Sequence, residues 1–439
     1  MSLAPPPMLT DFTDWISATD EHAATHLGLL AEAQTALTES PLPHHVSLAE
    51  RLERWRYQLL KHEPIPRDDD ARALIDTLDL TANRLAGRSD RAPRAPRQAE
   101  QLDVSELTAL LDSETPLEPL LRQATELTQQ SFGVIGAPTN VDRREMLLYA
   151  PLYLSSHCTN HCTYCGFRHP NEIERTQLSV NDALRQADIL ADRGFNRLLL
   201  VAGDFPRLTS TAYFTAVIRE LTPRGFNVSL EIAAQSTSSY AQLVEAGATG
   251  VTLYQETYDE ALYPSYHPRG SKALYDWRLE AYDRAAEAGM PQLGLGVLLG
   301  LADPKQDLLA MIRHGRYLQS RFPDVALAFS LPRIHEAPEG FESYGRIDDE
   351  TFIRLYVVLR IAFPSAELVL STREARALRD HLASVCITRM SAGSSTSPGG
   401  YEEELSDQPT RQQFPITDDR SPDEVAHWLG ANGFDVRWD

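Results

Sequence analysis

The sequence predicts an α/β fold, a (β/α)8 barrel of the TIM type with an N-terminal helical extension. Three observations predict it. From about residue 147, short runs rich in Val, Ile and Leu alternate with amphipathic stretches of helical spacing. Eight such runs follow one another, the number that closes a parallel barrel. Residues able to carry chemistry fall at or just after the ends of those runs, where such barrels keep their active sites. A barrel with fewer strands is the alternative that the same pattern allows. The length of 439 residues suits a barrel with an extension, and 42% hydrophobic residues can fill a large core.

Residues 1–100 read as the extension. Apolar residues recur at helical spacing over 20–37 and 46–61, and GRSDRAPRAPR (87–97) is a basic, Pro-rich linker. This region either covers one end of the barrel or docks a partner. Residues 101–146 lead into the barrel: Ser105 is placed to cap a helix reaching 112, and a second helix runs from about 116 to 131, before Gly133. The barrel spans 147–395. Its strands are expected at 148–154, 196–202, 226–232, 250–254, 293–299, 326–331, 366–371 and 385–391. Helices fit between them at 181–193, with Asn181 as cap and Gly194 as stop, and at 236–246, 273–288, 304–320, 349–361 and 373–383. Residues 396–439 are expected to close the barrel.

Charge narrows the function. With 62 acidic and 41 basic residues the net charge is −21, which repels phosphate backbones and argues against a nucleic-acid partner. The opening MSLAPPPMLTDF has neither the basic start nor the apolar core of a signal peptide, and no run approaches a membrane span. The expectation is a soluble cytoplasmic protein with no membrane partner.

The chain has four cysteines, and three of them, Cys158, Cys162 and Cys165, fall within eight residues. In PLYLSSHCTNHCTYCGF they are spaced C-x3-C-x2-C directly after the first strand. Three thiolates on one short loop can hold three irons of a [4Fe–4S] cubane and leave the fourth open. An open iron can bind the amino and carboxylate groups of S-adenosylmethionine (SAM) and pass it one electron. The competing readings are a Cys3His zinc site completed by His157 or His161, and inert buried thiols. Cys386 stands alone and reads as a core residue of the last strand.

Beyond the cysteines, RLLLVAGD, YQETYDEALY, WRLEAYDRAAEAGM, LGLGVLLGL, LPRIHEA, LSTREA and SAGSSTSPGGY follow in order. Over about residues 105–439 this succession resembles the aromatic amino-acid lyase branch of the radical SAM superfamily. Within that branch it is most similar to the tyrosine lyases of thiamine thiazole biosynthesis, the 2-iminoacetate synthase family. Most of residues 1–100 lie outside the resemblance.

The resemblance implies a reaction in which a 5′-deoxyadenosyl radical takes hydrogen from tyrosine and the Cα–Cβ bond breaks, giving p-cresol and 2-iminoacetate. The cluster must be reduced, which implies an electron donor such as flavodoxin or ferredoxin, and the resemblance implies a thiazole synthase as partner. The resemblance places Tyr164 near the SAM adenine. Gly203-Asp204 matches a Gly-Glu pair that receives the SAM amino group; Asp reaches one methylene less far. Glu231, Gln255 and Glu256 end the third and fourth strands and point by location toward SAM. Arg278 matches an arginine that pairs with the SAM carboxylate. Gly294, Gly296 and Gly300 let backbone approach the adenosine, or simply pack strand on helix. Arg333 matches the arginine that grips the substrate carboxylate. Ser371, Thr372 and Arg373 are placed to complete that pocket, or to cap a helix. Ser391, Gly393, Ser394, Gly399 and Gly400 either line the mouth or turn the chain.

Three alternatives stand beside this reading. The related hydrogenase-maturation lyases carry further cysteines for a second cluster, and here none follows Cys386. Related lyases act on tryptophan. A non-catalytic iron–sulfur or zinc scaffold is the alternative of another class.

Overall fold

The computed structural model describes residues 102–134, 143–402 except 337 and 339, and 412–438. The expected helices at 20–37 and 46–61 and the 87–97 linker lie outside the described residues.

Among the described residues two helices come first, α1 (Val104–Leu110) and α2 (Leu117–Phe132). The barrel then runs β1 (Arg144–Ser155), α3 (Val180–Asp192), β2 (Arg197–Ala202), α4 (Thr211–Leu221), β3 (Asn227–Glu231), α5 (Thr237–Ala246) and β4 (Ala248–Glu256). After β4 come α6 (Tyr263–Tyr266), α7 (Tyr275–Leu279), α8 (Ala281–Glu287), β5 (Gln292–Val297), α9 (Pro304–Arg321) and β6 (Ala326–Ser330). The chain finishes with α10 (Asp349–Ala362), β7 (Glu367–Leu370), α11 (Arg376–Val385), β8 (Arg389–Ser391), α12 (Pro422–Ala431) and β9 (Phe434–Arg437).

Strands β1 to β8 pair in parallel in chain order, and the β8–β1 and β1–β2 pairings close the barrel. The strands are buried on both faces, one packed inside the barrel and the other under the helices, so they read as apolar runs rather than alternation. β9 pairs with the start of β1, Arg144–Leu147, below the point where β2 joins at Ala150. The C-terminal strand therefore sits at the base of the barrel, opposite the mouth. No helix among the described residues is long and apolar enough to cross a membrane.

Several element ends differ from expectation. Asp103, not Ser105, caps α1, and Ser179, not Asn181, caps α3. Both form reciprocal capping boxes with an acid three residues on, Glu106 and Asp182. Ser105 instead donates its hydroxyl to Asp103 Oδ1 at 2.6 Å. The expected helix 273–288 is two pieces, α7 and α8, meeting at Glu280. α11 continues to Val385 because Leu378, Leu382, Ala383 and Val385 keep facing the core, so β8 begins only at Arg389. Cys386 thus caps the C-terminus of α11 rather than lying in a strand; it is fully buried. A short apolar run does not reveal by periodicity whether it is strand or helix.

Before reaching the base, the C-terminal segment passes the mouth. Thr417 and Asp418 donate their backbone N–H groups to the Thr372 carbonyl at 2.9 and 3.1 Å. The Asp418 carboxylate is buried between Arg379 and Arg420. Removing it would leave two buried guanidinium groups short of their counter-charge. Asp418→Ala is therefore expected to lower stability by about 3–5 kcal/mol. Denaturant unfolding checks this, and a loss under about 1 kcal/mol would mean that the segment is not anchored here.

Candidate active site

The three cysteines lie on the loop that leaves β1. Arg175 organises this loop by donating to the carbonyls of Ser156 (2.5 Å), Phe167 (2.6 Å), Arg168 (2.9 Å) and Asn171 (3.1 Å). Asn160, inside the cysteine motif, joins three segments. Its amide nitrogen donates to Asp204 Oδ2 at 3.0 Å, and its side-chain oxygen accepts the Lys272 backbone N–H at 3.0 Å. Its own carbonyl accepts the His169 N–H at 2.8 Å. At Gly203 a Cβ would lie 2.3 Å from the His157 carbonyl oxygen, so only glycine lets the end of β2 approach the loop this closely.

A cavity open at the mouth is lined by Cys158, Cys162, Cys165, Tyr164, Gly203, Asp204, Glu231, Glu256, Arg278 and Arg373. Ten of the residues expected at the site thus share one cavity. Lys272 joins them. Three acids, Asp204, Glu231 and Glu256, face three bases, Lys272, Arg278 and Arg373. This local balance, inside a strongly acidic chain, suits a zwitterionic guest.

Glu256 anchors the far wall. Its φ of 72° is left-handed, the only such non-glycine residue among those described, and the β4–β5 register slips beside it. Backbone strain of this kind persists where surrounding contacts over-determine a side chain's direction. Glu256 Oε1 meets Lys272 Nζ at 2.5 Å and Arg278 Nη2 at 3.8 Å. Arg278 is also held by donating Nε to the Tyr254 carbonyl at 2.6 Å. Burial pushes Glu231 up to about 7, against the pull of nearby Arg373. Asp204 accepts from the Ser271 hydroxyl as well as from Asn160.

Tyr164 stands between this cavity and a smaller recess beside it, lined by Arg333, His335, Arg373 and Phe414. Its hydroxyl lies 2.9 Å from His267 Nε2. His267 Nδ1 faces the Tyr263 carbonyl at 3.0 Å, so that nitrogen carries the proton and Nε2 accepts from Tyr164. Burial, with Lys272 and Arg278 nearby, keeps His267 neutral, down to about 2.

Other expected site residues lie elsewhere. Gln255 is fully buried and turned away from the cavity, because successive strand residues face opposite sides; its amide points at the Tyr275 carbonyl at 3.5 Å. Gly296 serves packing: a Cβ there would lie 2.1 Å from the Tyr254 ring and 2.6 Å from the Ser330 carbonyl oxygen. Thr372 receives the C-terminal segment on its carbonyl, and its N–H donates to Ser391 Oγ at 3.1 Å. Ser371 Oγ accepts weakly from the Arg373 N–H at 3.5 Å. Neither caps α11, whose N-cap is Ala375.

Arg333 departs furthest from its expected role. Its guanidinium is not free to grip a carboxylate, since Glu374 takes it in a two-pronged pair. Asp349 and the Ile347 carbonyl take the remaining nitrogen at 2.9 and 3.0 Å. Arg373, by contrast, makes no ion pair among the described residues and lies over the Phe414 ring, 3.5 Å from its centroid. Lys272, Asn160 and Arg175 were missed in the sequence. Lys272 lies in the turn Ser271–Ala273, sixteen residues after β4, where no strand-end signal points to it; Asn160 lies within the cysteine motif itself.

The loop suits a cubane cluster. The three cysteines line one cavity, yet among the described residues no three His, Cys, Asp or Glu converge as a single ion requires. One thiol per iron fits this spread better than a Cys3His zinc site. Burial pushes the Cys158 thiol up to about 11 and Cys162 to about 12, although Lys272 opposes the latter. Such thiols need the charge of bound iron to remain thiolates.

The Radical SAM superfamily profile matches residues 152–314, and that of the Biotin and Thiamin Synthesis associated domain matches residues 330–435. The chain is 35% identical over 358 residues to the 2-iminoacetate synthase of Salmonella typhimurium, covering 81% of this chain and 92% of that protein. It is 34% identical to the Escherichia coli 2-iminoacetate synthase over the same shares. Among solved structures, the hydrogenase maturase HydG superimposes with a TM-score of 0.71 at 33% identity, covering 77% of this chain and 74% of that one.

Proposed function

The chain belongs to the radical SAM superfamily and, within it, to the 2-iminoacetate synthase family, and from that premise we propose the roles of its residues. The protein is a radical SAM lyase that cleaves the Cα–Cβ bond of L-tyrosine to 2-iminoacetate and p-cresol. SAM leaves as 5′-deoxyadenosine and methionine. The observation that carries the reading is the cavity at the barrel mouth, where three cysteines meet a balanced set of acids and bases.

Cys158, Cys162 and Cys165 hold a [4Fe–4S] cluster. The cluster and SAM together supply the one-electron cleavage that yields a hydrogen-abstracting radical. Asp204 receives the SAM amino group, directly or through one water, and is held in place by Asn160 and Ser271. Arg278 and Lys272 balance the SAM carboxylate from the Glu256 side. Tyr164 offers its ring to the adenine. Arg373 takes the carboxylate of the amino acid, and the Arg333–Glu374 pair forms the wall behind it. Fixing the substrate at one end decides which hydrogen lies nearest the radical.

A flavodoxin or ferredoxin supplies the electron, a thiazole synthase takes the unstable imine, and a cytoplasmic location suits both exchanges.

Anaerobic reconstitution with iron and sulfide, reduction, and addition of SAM with tyrosine should yield 5′-deoxyadenosine and p-cresol. Absence of 5′-deoxyadenosine under every reductant tried would end the enzyme reading. Consumption of tryptophan with tyrosine left intact would reassign the substrate.

A further inference from the structure

The C-terminal segment brings one side chain onto the cluster loop. Gln413 lies 248 residues from Cys165 along the chain, yet its amide nitrogen points at Cys165 Sγ from 3.7 Å. Its other end fixes the orientation: the Tyr153 hydroxyl donates to Gln413 Oε1 at 2.7 Å, which turns the NH2 group toward the sulfur. Tyr153 is itself held at the end of β1, edge-on to Phe167 at 6.0 Å.

The backbone here is pinned as well. Gln413 N–H donates to the Thr396 carbonyl at 3.0 Å, and the Thr396 hydroxyl donates to the Phe414 carbonyl at 2.8 Å. A Cβ on Gly166, the residue after Cys165, would lie 2.8 Å from the Gln413 carbonyl oxygen and 3.0 Å from that of Gln412. Glycine at that position lets the segment lie directly against the cluster loop. The next residue, Phe414, carries Arg373 on its ring.

We infer that Gln413 is a positioning residue that sets the reduction potential of the cluster through an N–H···S hydrogen bond to Cys165, oriented by Tyr153. This rests on the assignment of Cys165 as a cluster ligand. Reduction adds one electron to the cluster and makes its sulfurs more negative. A donor at one sulfur stabilises the reduced form more than the oxidised one, and so raises the potential. The same segment holds Phe414 under Arg373, so the cluster contact and the substrate-facing base share one support.

The test is a potentiometric titration of the reconstituted full chain, with dithionite supplying the electron, on the wild type, Gln413→Leu and Tyr153→Phe. Gln413→Leu should move the midpoint to more negative values. At a fixed poise its reduced-to-oxidised ratio should fall severalfold, because only the excess strength of the bond in the reduced form counts. Tyr153→Phe, which only frees the amide to turn, should move it in the same direction by less. In D2O, the reduced wild-type cluster should show exchangeable deuterons by pulsed electron paramagnetic resonance, and Gln413→Leu should lose the coupling of one of them while keeping those of the backbone N–H groups on Cys158. An intact cluster with unmoved potential and deuteron signal in Gln413→Leu overturns the inference and leaves the cluster assignment standing. If Gln413→Leu does not retain a cluster, an unmoved potential in Tyr153→Phe overturns it instead. A wild type that takes up no four-iron cluster sinks the cluster assignment itself, and the inference with it.

Discussion

Cys162→Ala is expected to take up iron without forming the [4Fe–4S] cluster and to form no 5′-deoxyadenosine above background. Cys162 sits on the buried side of the loop, 5% exposed, packed with Tyr164, Leu298 and Leu301. Alanine fills most of that space, so the fold should survive while one iron loses its thiolate. Unlike a surface cysteine, this one has no neighbouring thiol to replace it, because Cys158 and Cys165 are already assigned to other irons. Cys386→Ala is the matched control. That thiol is as deeply buried, and burial pushes it up to about 12, but it lies at the end of α11 under Arg360, away from the mouth. Its loss should leave iron, sulfide and visible absorbance unchanged. Should Cys162→Ala keep a full iron–sulfur complement and cleave SAM, the cysteine loop is not the cluster site.

The second large effect is expected at Arg373. Truncating one partner of a desolvated charge pair costs about 2–5 kcal/mol, so Arg373→Ala should raise the KM for tyrosine at least about thirtyfold. SAM cleavage should continue, because the cluster and the Glu256–Lys272–Arg278 group are untouched. The diagnostic readout is therefore the yield of p-cresol per 5′-deoxyadenosine, which should fall as unanchored substrate is missed by the radical. Arg373→Lys should recover part of it, since a point charge replaces a planar fork. Arg333→Ala should behave differently. Burial pushes Glu374 up, but hydrogen bonds from His335 and Arg333, with their charges, hold it below the usual carboxylate range. Removing Arg333 strips a carboxylate only 2% exposed of its main partner, at a cost of about 3–5 kcal/mol in stability. Thermal melting and kinetics on the two variants separate these outcomes. A stable Arg333→Ala that loses only tyrosine binding would return the carboxylate grip to Arg333.

How much of this was legible beforehand depends on how local each feature is. The three cysteines and the strand rhythm are carried by neighbouring residues, and spacing alone reveals them, while the resemblance points to Tyr164. Glu231 and Glu256 were singled out because each ends a strand, and Asp204 because the resemblance matches it; barrel geometry brings all three to one cavity. Gln255 was misassigned because adjacent strand residues look alike in sequence but face opposite sides. Ser105 and Asn181 each lie two residues past the true cap for a similar reason, since several polar residues near a helix start can serve as caps.

The sequence by itself thus determined the fold class, the cluster loop and the family, all of which rest on short-range pattern. Only the tertiary structure decided which arginine faces the cavity and which is spent. Arg333 and Arg373 look equivalent along the chain, and their roles diverge because Glu374 folds back onto the first and Phe414 onto the second. The structure alone also brought Gln413 to Cys165, across 248 residues. A contact of that span depends on how the whole barrel closes, and no local periodicity encodes it.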